Sequence, residues 1–198
     1  MKRAVTTVVA LVAAVLMLGA CTSDPNSVAN QAKDGDRKGY VSGDGSIERI
    51  AVARRGPAVD LSGTTVDGKK WSSAGARGKA LVVNVWGSWC SPCVAEAPAL
   101  QKAWSDLSTA RKPVQFIGID VQESAATGAA FLRSRGVTYP SLTDQPGVLV
   151  LSLQGKAVST PTTLVLDPQG RIAGRVNGEV TATTLTDLVD DVLSGATG

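Results

Sequence analysis

In Ala80-Leu81-Val82-Val83-Asn84-Val85-Trp86-Gly87-Ser88-Trp89-Cys90-Ser91-Pro92-Cys93, a buried strand runs into a helix through a short turn, and two thiols mark the junction. Residues 80–86 are apolar on both faces except for the amide of Asn84, the pattern of a central strand covered on both sides. Cys90 and Cys93 then stand at i and i+3 at the start of a helix. There, unpaired backbone N–H groups and the positive end of the dipole favour a thiolate on Cys90. Cys93, one turn further in, can attack a mixed disulfide on Cys90 and resolve it. Pro92 falls in the first turn, where its missing N–H costs little. The stretch therefore reads as a dithiol/disulfide couple with Cys90 as nucleophile and Cys93 as resolving thiol.

Working outward, Val94, Ala97, Leu100, Trp104 and Leu107 recur at three- and four-residue steps and predict a helix to about Ala110, kinked at Pro98. Residues 114–120 read as the next buried strand, and Ser124 can cap a helix that runs to Arg135 and stops at Gly136. Two strands, 162–167 and 171–176, flank the turn Pro168-Gln169-Gly170, and a last helix spans about 181–194. Upstream, 58–61 and 64–66 bracket Ser62-Gly63 and are followed by Asp67-Gly68, which predicts a short N-terminal hairpin. The expected fold is α/β, a central mixed sheet flanked by helices.

At 198 residues and 43% apolar composition there is room for one such domain, expected over 50–198. Lys2-Arg3, the apolar residues 4–17 and Leu18-Gly19-Ala20-Cys21 form a secretory signal that ends in a lipobox. Residues 1–20 are expected to be the leader, its apolar stretch 4–17 too short to span a bilayer. Cys21 is then the lipidation site that anchors the chain to a membrane through two acyl chains. Residues 22–49, rich in Asp, Ser, Asn, Gly and Lys, lack the means to bury a core and read as a flexible tether, with order beginning near Pro57. Without Lys2 and Arg3, eighteen basic residues face seventeen acidic ones, scattered among one another, which excludes a nucleic-acid partner. Assigning Cys21 to lipid leaves Cys90 and Cys93 as the one pair. A zinc site would need two further ligands, and the chain has no histidine and no second cysteine pair. Haem attachment would need histidine where Val94 stands, and a purely structural bridge closing so short a loop restricts the unfolded chain little.

With these residues in view, the chain resembles the thioredoxin superfamily, and within it the TlpA/ResA-like branch of membrane-tethered bacterial thiol-disulfide oxidoreductases. The likeness covers about 57–194 and rests on residues 84–93, on Glu96-Ala97-Pro98, and on Thr160-Pro161-Thr162-Thr163 before a strand. It implies a cis Thr160-Pro161 bond facing the dithiol, with a bound cysteine-containing segment crossing Trp89, Ser91, Pro92, Thr160 and Pro161. Thioredoxin itself carries a buried acid six residues before the first cysteine. Asn84 stands there and cannot exchange a proton. The branch instead carries an acid three residues after the second cysteine, matched by Glu96, a candidate general base for Cys93 that competes with the reading of a solvent-facing first-turn acid.

The implied activity is reduction of disulfides in exported proteins, apocytochrome c among them, with electrons from a membrane thiol-disulfide donor. It needs no metal or other cofactor. The implied place is the extracytoplasmic side of a bacterial envelope, and the expected state is a monomer. An oxidase working in the opposite direction would use the same residues. A thiol peroxidase, which places its partner cysteine far away in sequence, and a non-enzymatic lipoprotein binding module are the remaining alternatives.

Overall fold

A computed structural model describes residues 43–195. The expected leader, Cys21 and the tether up to residue 42 lie outside the described residues. The apolar run at 80–86 forms β4 (Ala80–Trp86), every residue of it buried. In chain order the other strands are β1 (Ser46–Arg49), β2 (Ser62–Thr64), β3 (Lys70–Ser72), β5 (Val114–Val121), β6 (Ser141–Asp144), β7 (Thr162–Leu166) and β8 (Ile172–Asn177). The helices are α1 (Ser91–Thr109), α2 (Ala125–Ser134), the single turn α3 (Val148–Leu151) and α4 (Ala182–Ser194).

Six strands form one mixed sheet in the order β1-β8-β7-β4-β5-β6, with β4, β5 and β6 parallel and β7, β8 and β1 antiparallel to their neighbours. This is the thioredoxin-like architecture expected from the alternation of strands and helices. Pleating sends Val82 toward Leu100 and Leu107 of α1 and Leu185, Leu188 and Val192 of α4. Leu81, Val83 and Val85 point to the other face, against Val59, Leu61, Leu142 and Leu153. The helix predictions are met closely: Ser124 caps α2 by accepting the Thr127 N–H at 3.2 Å, Thr181 caps α4 by accepting the Thr184 N–H at 3.1 Å, and Pro98 lies within α1.

Two upstream expectations are corrected. Ser46–Arg49, placed in the tether by its polarity, is the edge strand β1, paired residue by residue with β8. The sheet therefore begins ahead of both Ile50 and Pro57. The hairpin also exists in a different register, because Ser62-Gly63 lies within β2 and pairs with Ser72 and Trp71 of β3. The reversal comes instead at Asp67-Gly68, where Gly68 takes φ +87° and donates its N–H to the Thr65 carbonyl at 2.8 Å. The segment between β1 and β2 is fixed by Arg55, whose guanidinium reaches the buried Asp167 carboxylate at 3.0 Å. Burial pushes Asp167 up, but bonds from the Arg171 backbone and side chain and from Arg55 outweigh it and hold the carboxyl below its usual value.

Helix α2 meets the sheet through Gly128, where an added Cβ would lie 1.9 Å from Oδ2 of the fully buried Asp120. Gly128→Ala is accordingly expected to destabilise the fold by about 1–3 kcal/mol through overpacking, outweighing the roughly 1 kcal/mol gained from better helix propensity. A lowered thermal midpoint checks this; a raised one refutes it.

Candidate active site

β4 ends at Trp86, and the turn Gly87-Ser88-Trp89 carries the chain to Cys90, which is the N-cap of α1. Trp86 is buried by stacking on Phe131 of α2, with centroids 5.1 Å apart, and its indole N–H donates to Ser141 Oγ at 2.9 Å. Trp89 is half-buried and donates its indole N–H to the Val121 carbonyl at 3.0 Å. These two rings brace the turn from both sides.

Cys90 and Cys93 form a disulfide, with Cα atoms 5.2 Å apart. Cys90 Sγ accepts the backbone N–H of Cys93 at 3.3 Å, so the helix start already directs a donor at the sulfur that would carry negative charge. The Thr160 carbonyl oxygen lies 3.7 Å from the same sulfur, and the Thr160-Pro161 bond is cis, as the resemblance implies. Both cysteines are only 2% exposed. The surface around them belongs to exposed Ser91 and to half-buried Trp89, Pro92 and Thr160; Pro161 is buried. The residues expected to meet a bound segment thus come together from α1 and from the loop before β7.

Glu96 is buried, 1% exposed, on the stripe of α1 that contains Cys93, Ala97 and Leu100, which disposes of the solvent-facing reading. Its Oε1 accepts from Asn84 Nδ2 at 2.8 Å and its Oε2 from the Val180 N–H at 3.1 Å. Asn84 also donates to Thr163 Oγ1 at 3.1 Å, so the amide at the thioredoxin acid position holds an acid instead of being one. Burial pushes the Glu96 carboxyl up to about 8, against the two hydrogen bonds that favour the charged form; the Glu179 charge adds to the rise. Burial and then Glu96 push the Tyr139 hydroxyl up as well. A cavity of about 10 Å³, with room for about one water, is bounded by Cys93, Asn84 and Tyr139 among others. Among the described residues no group of three His, Cys, Asp or Glu side chains could hold a metal ion.

Two acids that sequence reasoning missed stand on the other side of the turn. Glu123 Oε1 accepts the Ser88 N–H at 2.6 Å, and its Oε2 accepts the Ser88 hydroxyl. Asp120, in β5 beside Trp86, is fully buried.

Residues 55–175 match the AhpC/TSA family. The chain belongs to that family. Within this thioredoxin-like group, ResA of Bacillus subtilis (strain 168), a thiol-disulfide oxidoreductase, is 26% identical over 150 residues, which are 76% of this chain and 80% of ResA. Among solved structures, a DsbF homologue from Corynebacterium diphtheriae is 32% identical with a TM-score of 0.68 and covers 77% of this chain and 97% of its own. A secreted thiol-disulfide isomerase from Corynebacterium glutamicum is 29% identical with a TM-score of 0.69, covering 78% and 96%. The AhpC/TSA match, these relatives and the dithiol at the head of α1 make the chain a thiol-disulfide oxidoreductase of the thioredoxin superfamily.

Proposed function

We propose that the protein works outside the cytoplasm and reduces disulfides in exported proteins, with Cys90 as the attacking thiol. The observation that carries this reading is the position of Cys90 Sγ, which accepts a helix N-terminal N–H and lies against the Thr160 carbonyl. The Cys90 thiolate attacks a substrate disulfide, one substrate sulfur leaves as a thiolate, and a mixed disulfide forms. Cys93, after losing its proton toward Glu96, attacks the Cys90 sulfur, releases the second substrate thiolate and closes the Cys90–Cys93 disulfide. Two electrons pass to the substrate, and a membrane dithiol donor returns them. Trp89, Ser91, Pro92, Thr160 and Pro161 receive the segment around the substrate cysteine. The secreted isomerase among the neighbours and the leader-like residues 1–20 support the extracytoplasmic place. The lipobox supports lipidation of Cys21 and a membrane anchor. Apocytochrome c is the substrate that the ResA-like branch suggests.

Equilibration of the Cys90/Cys93 couple with glutathione tests the direction. A potential below about −250 mV is expected of a reductase, whereas a value above about −150 mV would make the protein an oxidase that installs disulfides. The AhpC/TSA match also raises peroxidase chemistry. Cys90 is paired three residues away, and reduced protein is expected to consume a protein disulfide far faster than hydrogen peroxide. The reverse preference would overturn the reading.

A further inference from the structure

Two acids lie under the turn that delivers Cys90, and the mechanism above uses neither. Asp120 pairs in register with Trp86 of β4 and Thr143 of β6, and neither of its carboxyl oxygens meets a donor. Its charged neighbour is the Glu123 carboxyl. Two carboxyl groups can hydrogen-bond only when one of them keeps its proton. Both Glu123 oxygens accept from Ser88, whereas neither Asp120 oxygen is held by a donor. The proton therefore belongs to Asp120, which burial and then Glu123 push up to about 9.

The backbone bears the same arrangement. Gln122, between the two acids, takes φ +60°, a left-handed conformation that costs a non-glycine residue about 1–2 kcal/mol. That bend returns the chain so that Glu123 meets Ser88 while Val121 holds the Trp89 indole. Trp86 of β4, Thr143 of β6 and Gly128 of α2, which lie against Asp120, carry no ionisable group. Asp144, on the next strand, is engaged elsewhere by the N–H groups of Val148 and Val150.

We propose that Glu123 and Asp120 are a positioning pair for Cys90, Glu123 as the acceptor that fixes the Ser88-Trp89 turn and Asp120 as the proton-bearing donor that fixes Glu123. This rests on the reading of Cys90 as the attacking thiol. Ionisation of Asp120 puts two like charges together and loosens the turn, so Cys90 acquires an alkaline break in reactivity that belongs to neither thiol and not to Glu96.

The test follows iodoacetamide alkylation of the Cys90 peptide by mass spectrometry across pH, in the reduced full chain carrying Cys93→Ser. Glu123→Gln removes a carboxylate held against Ser88, two residues before Cys90, and is expected to lower the alkylation midpoint by about one pH unit, about tenfold faster alkylation below it. Asp120→Asn cannot ionise and is expected to abolish the alkaline break. A profile for Asp120→Asn that retains the break overturns the role of Asp120; an unmoved midpoint in Glu123→Gln overturns that of Glu123. Should Glu123→Gln not fold, Ser88→Ala removes the hydroxyl half of the same contact. Amide exchange at Trp89 and Cys90 about fivefold faster then supports the pair, as loss of one ordinary hydrogen bond requires, and unchanged exchange overturns it. A Cys90 that resists alkylation in every variant overturns the attacking-thiol reading itself, whereas normal alkylation indifferent to both acids overturns only the pair.

Discussion

Cys90→Ser is expected to abolish disulfide exchange, a loss on the order of a thousandfold or more, and to trap no substrate. Cys93→Ser is expected to lose turnover to a similar degree but to accumulate mixed disulfides on Cys90. The asymmetry follows from the helix start. Cys90, as N-cap, has a backbone donor aimed at its sulfur, whereas Cys93 lies one turn in, against Trp86 and Leu132. The first sulfur can hold a thiolate and meet a partner; the second is placed to reach the first. Non-reducing electrophoresis of each variant with an oxidised protein substrate reads the result. Equal trapping by both variants would reverse or erase the assignment of roles.

Glu96 carries the second large effect, and its sign can be worked out. In the unfolded chain its carboxyl titrates near 4.5, and in the fold near 8, so between these values the folded state holds the proton that the unfolded state releases. The stabilisation is complete below about pH 4.5 and is lost as pH rises through about 8. The buried Asp120, also raised, acts in the same direction. Glu96→Gln has no proton to release on unfolding, so it is expected to flatten the decline in stability between about pH 4.5 and 8. Glu96→Ala leaves the Asn84 amide and the Val180 N–H without their acceptor and is expected to cost about 2–4 kcal/mol. In kinetics, formation of the mixed disulfide is expected to survive Glu96→Gln. Its resolution is expected to slow by about a hundredfold and to lose the rise with pH centred near 8 that a general base produces. Stopped-flow decay of the mixed disulfide across pH decides it: an unchanged rate and profile would make Glu96 a structural acid.

The parts of the fold legible in the sequence are those where burial repeats. β4 and β5 read as strands because nearly every residue of each is buried, and α1 and α4 because their apolar residues return every turn. β1 and β6 escaped because they are edge strands. Ser46–Arg49 presents one sizeable apolar side chain, Ile47, itself 46% exposed. Ser141–Asp144 is held by polar side chains that bond Trp86 and the start of α3. The dithiol was legible from its spacing. The burial of Glu96 had one signal: it stands three residues after Cys93 and four before Leu100, on the stripe that packs inward. No motif announced Asp120 and Glu123, whose contact with Ser88 depends on a backbone bend at Gln122 and spans 35 residues of sequence.

The entry of β1 bears on how the protein should be handled. The Gly45 N–H donates to the Asn177 carbonyl, Asp44 accepts from the Asn177 amide at 2.9 Å, and that amide's oxygen meets Ser159, the neighbour of Thr160. A purification tag or fluorophore fused ahead of Gly43 would therefore join the domain on the side of Thr160 and the dithiol and compete with whatever approaches it. The far end of α4 is the safer handle. Asp190 and Asp191 there bond Lys112 and Arg49, at the ends of β5 and β1 remote from the dithiol. Immobilising the protein through a linker after Gly195 leaves the dithiol edge of the sheet clear of the support.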